Sequence, residues 1–340
     1  MKIFEGFEKG INLGGWLSQC CHTPEHYRSF IGEDDIRSLS EWNIDHIRVP
    51  VDYELFEAPD GSFIADGFAI IHKTAQWCRK YGLNMILDLH KTAGFSFDSG
   101  ENETGFFGSE ALQERFYRLW VKMAEEFGQY KDLMAFELLN EITDKEFSPI
   151  WNRIAAECIR RIRSICPDVY ILVGGYWNNC VLALSDIDIP VDEHIVYNFH
   201  CYEPLIFTHQ GAQWIDGMPV DFKMSFPESK EKYSAAVEKL HLSTLELVNS
   251  MEISEVDGQI FDLLFGKAAA IAEKNNVPLY CGEFGVIDSA DSKSTSAWYK
   301  AITDSFRKYG IGHAAWSYKK MDFGISDSEP SLCAAIKSYL

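Results

Sequence analysis

Two segments of this 340-residue chain end in a glutamate and share one build. Leu133 to Glu141, LMAFELLNE, is an apolar run that delivers Asn140 and Glu141 to its C-terminal end. Val277 to Glu283, VPLYCGE, is a β-rich run that delivers Glu283. Carboxylates at the tips of two facing strands can divide proton transfer and attack between them, which is what cleavage of a glycosidic bond requires. For that the two must differ in pKa. An arginine near Glu283 would hold it ionised, while burial and a negative neighbour would raise Glu141.

Other short apolar runs carry fitting groups: Arg48 in HIRVP, His90 in LDLH, His200 and Tyr202 in YNFHCY, and Trp316 in AAWSY. Arg48 is the expected cation, and Tyr202 can hydrogen-bond and orient Glu283. Asn140, beside the acid, suits a sugar hydroxyl, and the two histidines suit further hydroxyls. Trp316 offers a flat apolar face to a pyranose ring. Any one of these alone is more often a solvated or structural group. Their recurrence at one strand end after another points to a site.

The elements that must position them read as short, almost continuously hydrophobic strands, the pattern of strands buried on both faces. Eight are expected: Gly10–Trp16, Asp45–Val51, Asn84–His90, Leu133–Asn140, Val169–Gly174, Ile195–Tyr202, Val277–Glu283 and Gly312–Tyr318. Helical periodicity falls between them, at Glu33–Trp42, Gly67–Tyr81, Glu110–Tyr130, Pro149–Cys166, Ile260–Lys274 and Ser294–Tyr309. Gly82, Pro167 and Gly310 supply stop signals. The alternation predicts an α/β chain folded as one (β/α)8 TIM barrel over residues 1–340, with chemistry at the C-terminal ends of its strands. The interval after the sixth strand is too long for a simple crossover. Residues 203–255 therefore read as an inserted subdomain beside the site, with a helix over Ser229–Val248 and with Phe207, Trp214 and Phe222 as candidate cleft aromatics.

Composition narrows the partners. A net charge of −20 disfavours nucleic acid and anionic membranes, but a neutral polymer is indifferent to it. No apolar run reaches membrane-spanning length. The N-terminus lacks a signal-peptide core, and nine cysteines without zinc-like spacing suit a reducing compartment, so a cytoplasmic monomer is expected. The four tryptophans at 42, 77, 120 and 151 fall on helix faces and read as core. A barrel metal hydrolase using His90, His200 and a carboxylate is the competing chemistry, but no HxH or HExxH supports it. GxSxG, a P-loop and a dinucleotide fingerprint are missing too, so no metal or organic cofactor is expected.

The strand ends read R, H, NE, H-x-Y, E and W in chain order, and in this the chain resembles glycoside hydrolase family 5, the retaining β-glycanases of the 4/7 barrel clan. The likeness runs from GINLGGWLSQ through HIRVPVDY, LDLHKTAGFSF, AFELLNEI, VYNFHCYEP and LYCGEFGVI to WSYKKMDFGI. VYNFH, FTHQ, LYCGEFGVI and YKKMDFGI are similar to the clostridial endoglucanase C type, which carries an insert after the sixth strand. The resemblance implies Glu141 as general acid/base and Glu283 as nucleophile. It also implies Arg48, His90, Asn140, His200, Tyr202 and Trp316 as their supporting and sugar-binding shell. An endo-acting β-1,4 or mixed-linkage β-1,3-1,4 glucanase is expected. An exo-β-glucosidase or exo-β-1,3-glucanase, a β-mannanase and a non-catalytic glycan binder remain alternatives on the same scaffold.

Overall fold

The computed structural model describes residues 1–98, 100–242 and 247–340. Eight strands close a barrel: β1 (Lys9–Asn12), β2 (His46–Asp52), β3 (Asn84–Lys91), β4 (Met134–Glu137), β5 (Ile171–Val173), β6 (Ile195–His200), β7 (Leu279–Phe284) and β8 (Gly312–Ala315). Every neighbouring pair is parallel, and β1 seals the ring by pairing with both β2 and β8.

Side chains alternate across a strand, so each step of two residues climbs one layer inside the barrel. The lowest layer is apolar. Ile86, Ala135, Leu172, Val196, Tyr280 and Ala314 meet there, closed from below by Phe4 and Phe7. Two residues further on the interior becomes polar, with Asp88, Glu137 and Asn198 joined by Asn12 and Arg48, all fully buried. One more step on β3 and β6 brings His90 and His200 to the mouth. A register shift after Phe199 sets His200 opposite Glu283 on β7. Gly282 is required where these layers converge, because a Cβ there would lie 2.9 Å from both Asn198 Oδ1 and His200 Nε2.

The strands outside this interior pack on a ring of helices, including Glu33–Ser40, Ala65–Tyr81, Glu110–Phe127, Ser148–Arg163, Gln259–Asn275 and Ser292–Tyr309. Trp120 and Trp151 are buried in that layer, each donating its indole N–H to a backbone carbonyl, of Leu138 and Gly174 respectively. Trp42 is also buried, whereas Trp77 stays partly exposed under the Lys73 ammonium.

Three local expectations need correction. The alternation of strand and helix breaks after β5, where the crossover is a short turn at Tyr176–Asn179 and a 3-10 helix at Val181–Asp186. Arg48 does not end its strand; it sits mid-way along β2, paired across to Ile86 and Asn12. The last barrel strand stops at Ala315, so Trp316 belongs to the loop that follows.

Between β6 and the helix Gln259–Asn275 lie a helix at Lys230–Lys239 and a two-stranded antiparallel ribbon, Glu228–Ser229 with Glu255–Val256. The helix expected to reach Val248 ends at Lys239 and is capped by Leu240, because His241 turns left-handed at φ 57°. Residues 243–246 of that expectation lie outside the described residues. Phe207 is wholly buried against Phe226 and is core, which removes it from the cleft candidates.

Candidate active site

The site is built upward from Arg48. Its guanidinium is fully buried and donates to Glu137 from Nε at 2.7 Å and Nη2 at 2.8 Å. From Nη1 it reaches Asn12 Oδ1 at 2.9 Å and Glu283 Oε1 at 2.8 Å, and from Nη2 Asn140 Oδ1 at 3.0 Å. Asp88 Oδ2 is a further partner at 3.0 Å. Burial alone would weaken the charge on the guanidinium, but Asp88, Glu137 and Glu283 together raise its pKa well above the ordinary value. One cation cannot neutralise three buried carboxylates. Accordingly, burial pushes Asp88 up to about 7 and raises Glu137 as well, against the pull of Arg48.

Glu283 is thus gripped from below by Arg48 and, at its other oxygen, by the Tyr202 hydroxyl, which donates to Oε2 at 2.9 Å. Burial raises the Tyr202 phenol well above its usual range, so this proton stays on the tyrosine. Across the mouth, Glu141 follows β4 by four residues and adopts φ 37°, a left-handed conformation costly for a non-glycine residue. The kink turns its carboxyl inward. His200 Nδ1 lies 2.7 Å from Glu141 Oε1 and 3.7 Å from Glu283 Oε2. One oxygen of Glu141 and one of Glu283 approach to within 4.8 Å.

The expected residues therefore come together, although several have other partners than anticipated. Asn140 is fully buried with its carbonyl taken up by Arg48. His90 is held by Asp88 through Nδ1 at 2.6 Å and lies parallel to Trp316, with ring centroids 5.8 Å apart and planes inclined by 5°. His200 braces Glu141 directly. Burial drives its imidazole down to about 4, so it is neutral near pH 7 and carries a single ring proton.

Five contributors escaped sequence reasoning: Asn12, Asp88, Glu137, Asn178 and Asn198. Asp88 and Asn198 occupy inward positions two residues below His90 and His200, so a strict period-of-two reading of those strands would have found them, while Asn12 and Glu137 are the last residues of β1 and β4. Asn178, which donates to Glu141 Oε2 at 2.9 Å, sits on a turn that carries no such signal.

Glu141, His200 and Glu283 also satisfy the bare spacing for a metal ion. Their chemistry argues otherwise, because a permanent guanidinium already bonds Glu283 and opposes a second cation beside it. His22 on the loop after β1, Asp52 at the end of β2 and Glu54 just beyond it form a similar group. There the Lys91 ammonium is 2.7 Å from Glu54. Burial opposes a charge on His22, but the hydrogen bonds and charges of Asp52 and Cys20 together outweigh this and push it up to about 10. Those carboxylates are matched by protein cations.

A closed (β/α)8 barrel whose mouth joins two carboxylates, one on an arginine and a tyrosine and the other on a histidine and an asparagine, defines a glycoside hydrolase. The family model for cellulase (glycosyl hydrolase family 5) matches residues 8–322, and the chain belongs to that family. Cellodextrinase A of Ruminococcus flavefaciens is 45% identical over 306 residues, covering 90% of this chain and 84% of the relative. Endoglucanase C of Acetivibrio thermocellus is 36% identical over 331 residues, covering 95% and 94%. Among solved structures, the cellulose synthase subunit Z of Clostridioides difficile superposes with a TM-score of 0.77 at 25% identity, over 97% of this chain and 99% of the other. Among the described residues no helix is long and apolar enough to cross a membrane.

Proposed function

We propose that this protein is a retaining endo-β-glucanase that cleaves β-1,4 or mixed-linkage glucans and their oligosaccharides by double displacement. The observation that carries the reading is the approach of a Glu141 oxygen to a Glu283 oxygen within 4.8 Å. Retaining enzymes keep the carboxyl groups about 5–5.5 Å apart, while about 6.5–9.5 Å leaves room for the water of inversion. Glu283, oriented by Arg48 and Tyr202, attacks the anomeric carbon. The glycosidic C–O bond breaks and the leaving oxygen takes the proton of Glu141. A glycosyl ester on Glu283 results. Water then attacks the same carbon, gives a proton to Glu141 and frees Glu283.

Burial raises the pKa of Glu141, which keeps a proton available for the first step. Trp316 is the stacking face for the ring at the point of cleavage. Two exposed indoles lie on segments that also carry partners of the pair or of its neighbours. Trp177 adjoins Asn178 on the Glu141 side, and Trp214 packs on His209, itself against Tyr202, on the Glu283 side. Aromatic faces on both sides favour a chain that runs through the site, hence endo action, and they give residues 203–255 a role as an inserted subdomain forming one wall.

The names of the relatives, a cellodextrinase and endoglucanases, support β-1,4-linked glucose chains, with short soluble oligomers as substrates. Nine free thiols support a reducing, cytoplasmic setting, in which a monomer would act on imported oligosaccharides. The deciding experiment is a product profile on barley β-glucan, carboxymethylcellulose, laminarin, mannan and cellotetraose. Mixed oligomers at early times from barley glucan are expected. Glucose alone, without loss of polymer viscosity, would overturn endo action and make residues 203–255 a plug at one end of the cleft.

A further inference from the structure

The crossover after β5 contains three consecutive non-glycine residues in the left-handed region: Trp177, Asn178 and Asn179, at φ 50°, 56° and 55°. Each such residue costs on the order of 1 kcal/mol, with asparagine the most tolerant. Such a run persists only where surrounding contacts over-determine it. Here the contacts all lead to the acid/base side of the site. The backbone N–H groups of Trp177 and Asn178 donate to the carbonyls of Thr143 and Ile142, at 3.1 and 3.0 Å, immediately after Glu141. Cys180 bridges to His200 on β6. Asn179 is fully buried, with Nδ2 3.4 Å from His200 Nε2.

We propose that Asn178 is a positioning residue for Glu141, presented by this left-handed turn and opposing His200 across the carboxyl group. The inference rests on the reading of Glu141 as the proton-transfer group. Asn178 Nδ2 donates to Oε2 at 2.9 Å while His200 lies 2.7 Å from Oε1, so each oxygen has its own partner and the carboxyl plane is set. With Asn179 donating to Nε2, the single proton of the neutral imidazole is left on Nδ1, facing Glu141. Glu141 is then an acceptor from two donors, the arrangement that the general base of the second step needs.

The same contact tunes the proton. Burial raises the pKa of Glu141, and the Asn178 hydrogen bond is the foremost of the influences lowering it. His90 on β3 and Arg48 on β2 also favour its ionised form. His200 on β6, Glu283 on β7, Tyr202 after β6 and Asp88 on β3 complete the titratable surroundings. None of these changes when residue 178 is altered. Removing the donor must therefore raise the pKa of Glu141.

The test uses the full chain with Asn178→Gly, which keeps the left-handed backbone without steric cost and deletes only the donor. Asn178→Asp, which retains the left-handed tolerance but replaces the donor by an acceptor, is the second variant. Cellotetraose needs leaving-group protonation, whereas 2,4-dinitrophenyl β-cellobioside scarcely does. In the wild type, turnover of cellotetraose with retention of anomeric configuration, followed by NMR, checks the underlying reading alone. For the variants, the alkaline limb of kcat/KM on cellotetraose is expected to move up by about half a pH unit to one unit. The low end applies if water at the exposed rim substitutes for the amide. The same variants should lose at least tenfold less kcat/KM on the aryl glycoside than on cellotetraose at the wild-type optimum. An unmoved alkaline limb in Asn178→Gly, or equal losses on both substrates in either variant, overturns the proposal while leaving the wild-type reading intact. A shift in Asn178→Asp alone reports only the added carboxylate and also overturns it.

Discussion

Arg48 and Glu137 form a two-point ion pair inside the barrel, with Nε to Oε2 at 2.7 Å, Nη2 to Oε1 at 2.8 Å and side chains no more than 1% exposed. This pair sets the plane of the guanidinium and so aims Nη1 at Glu283. Removing the carboxylate would leave a buried cation short of its best partner. Glu137→Leu should cost about 3–5 kcal/mol of unfolding free energy, measured by urea titration, because it removes two charge-assisted hydrogen bonds from Arg48 and leaves the buried Asn198 amide without its acceptor. Glu137→Gln, which keeps two polar atoms in place, should cost less. Equal and small losses for both would mean that Asp88 and Glu283 suffice to hold Arg48.

The two glutamates should separate cleanly by substrate. Glu283→Ala is expected to abolish turnover of every glycoside, since no covalent intermediate can form. Glu141→Ala should lose about 10²–10⁴-fold in kcat/KM on cellotetraose and far less on the dinitrophenyl cellobioside. Initial-rate kinetics on the two substrates measure this, and matching losses would show that Glu141 does not transfer the proton.

Trp316 lies parallel to the His90 ring, just beyond β8, and is only 6% exposed. Trp316→Ala should lower kcat/KM by about 10–100-fold, corresponding to about 1–3 kcal/mol of lost stacking. Folding should be monitored in parallel by near-UV circular dichroism. A loss confined to thermal stability, with kcat/KM intact, would make the ring a structural wedge.

His313 tests the acid side of stability away from the chemistry. It is 3% exposed, and burial pushes its imidazole down to about 3. Its unfolded value is near 6.5, so below that pH the unfolded chain takes up a proton that the native chain refuses. The residue therefore subtracts stability progressively as pH falls from about 6.5 toward 3. Replacing it in His313→Gln removes that dependence. Whatever gap separates wild type and variant at pH 7 should shift by about 2 kcal/mol in favour of the variant by pH 5. A constant gap across that range in denaturant unfolding would show that the native ring accepts the proton.

Much of this molecule is legible in single strands. The runs ILDLH and VYNFH each carry their lower, middle and upper layer at alternate positions, because a strand's side chains alternate regardless of what surrounds it. For the same reason the barrel, its eight strands and the residues at its mouth followed from hydrophobic runs punctuated by polar tips. Glu141 and Glu283 were visible by type and by their delivery at the end of an apolar run, whereas Arg48, Tyr202 and Trp316 were visible by type but not by their exact place on the strand.

What the tertiary structure alone decided is who meets whom. Closure of the ring brings Arg48 of β2 to Glu137 of β4 and Glu283 of β7, and a register shift turns His200 toward both glutamates. No local pattern encodes those encounters, since they depend on strand tilt and register around the whole barrel. Asn178 was hidden for a related reason. Its left-handed turn is held by backbone partners at Ile142 and Thr143, more than thirty residues earlier, against the preference of its own sequence. Local sequence determined which side chains face the interior, and closure of the barrel determined which of them share a proton or a charge.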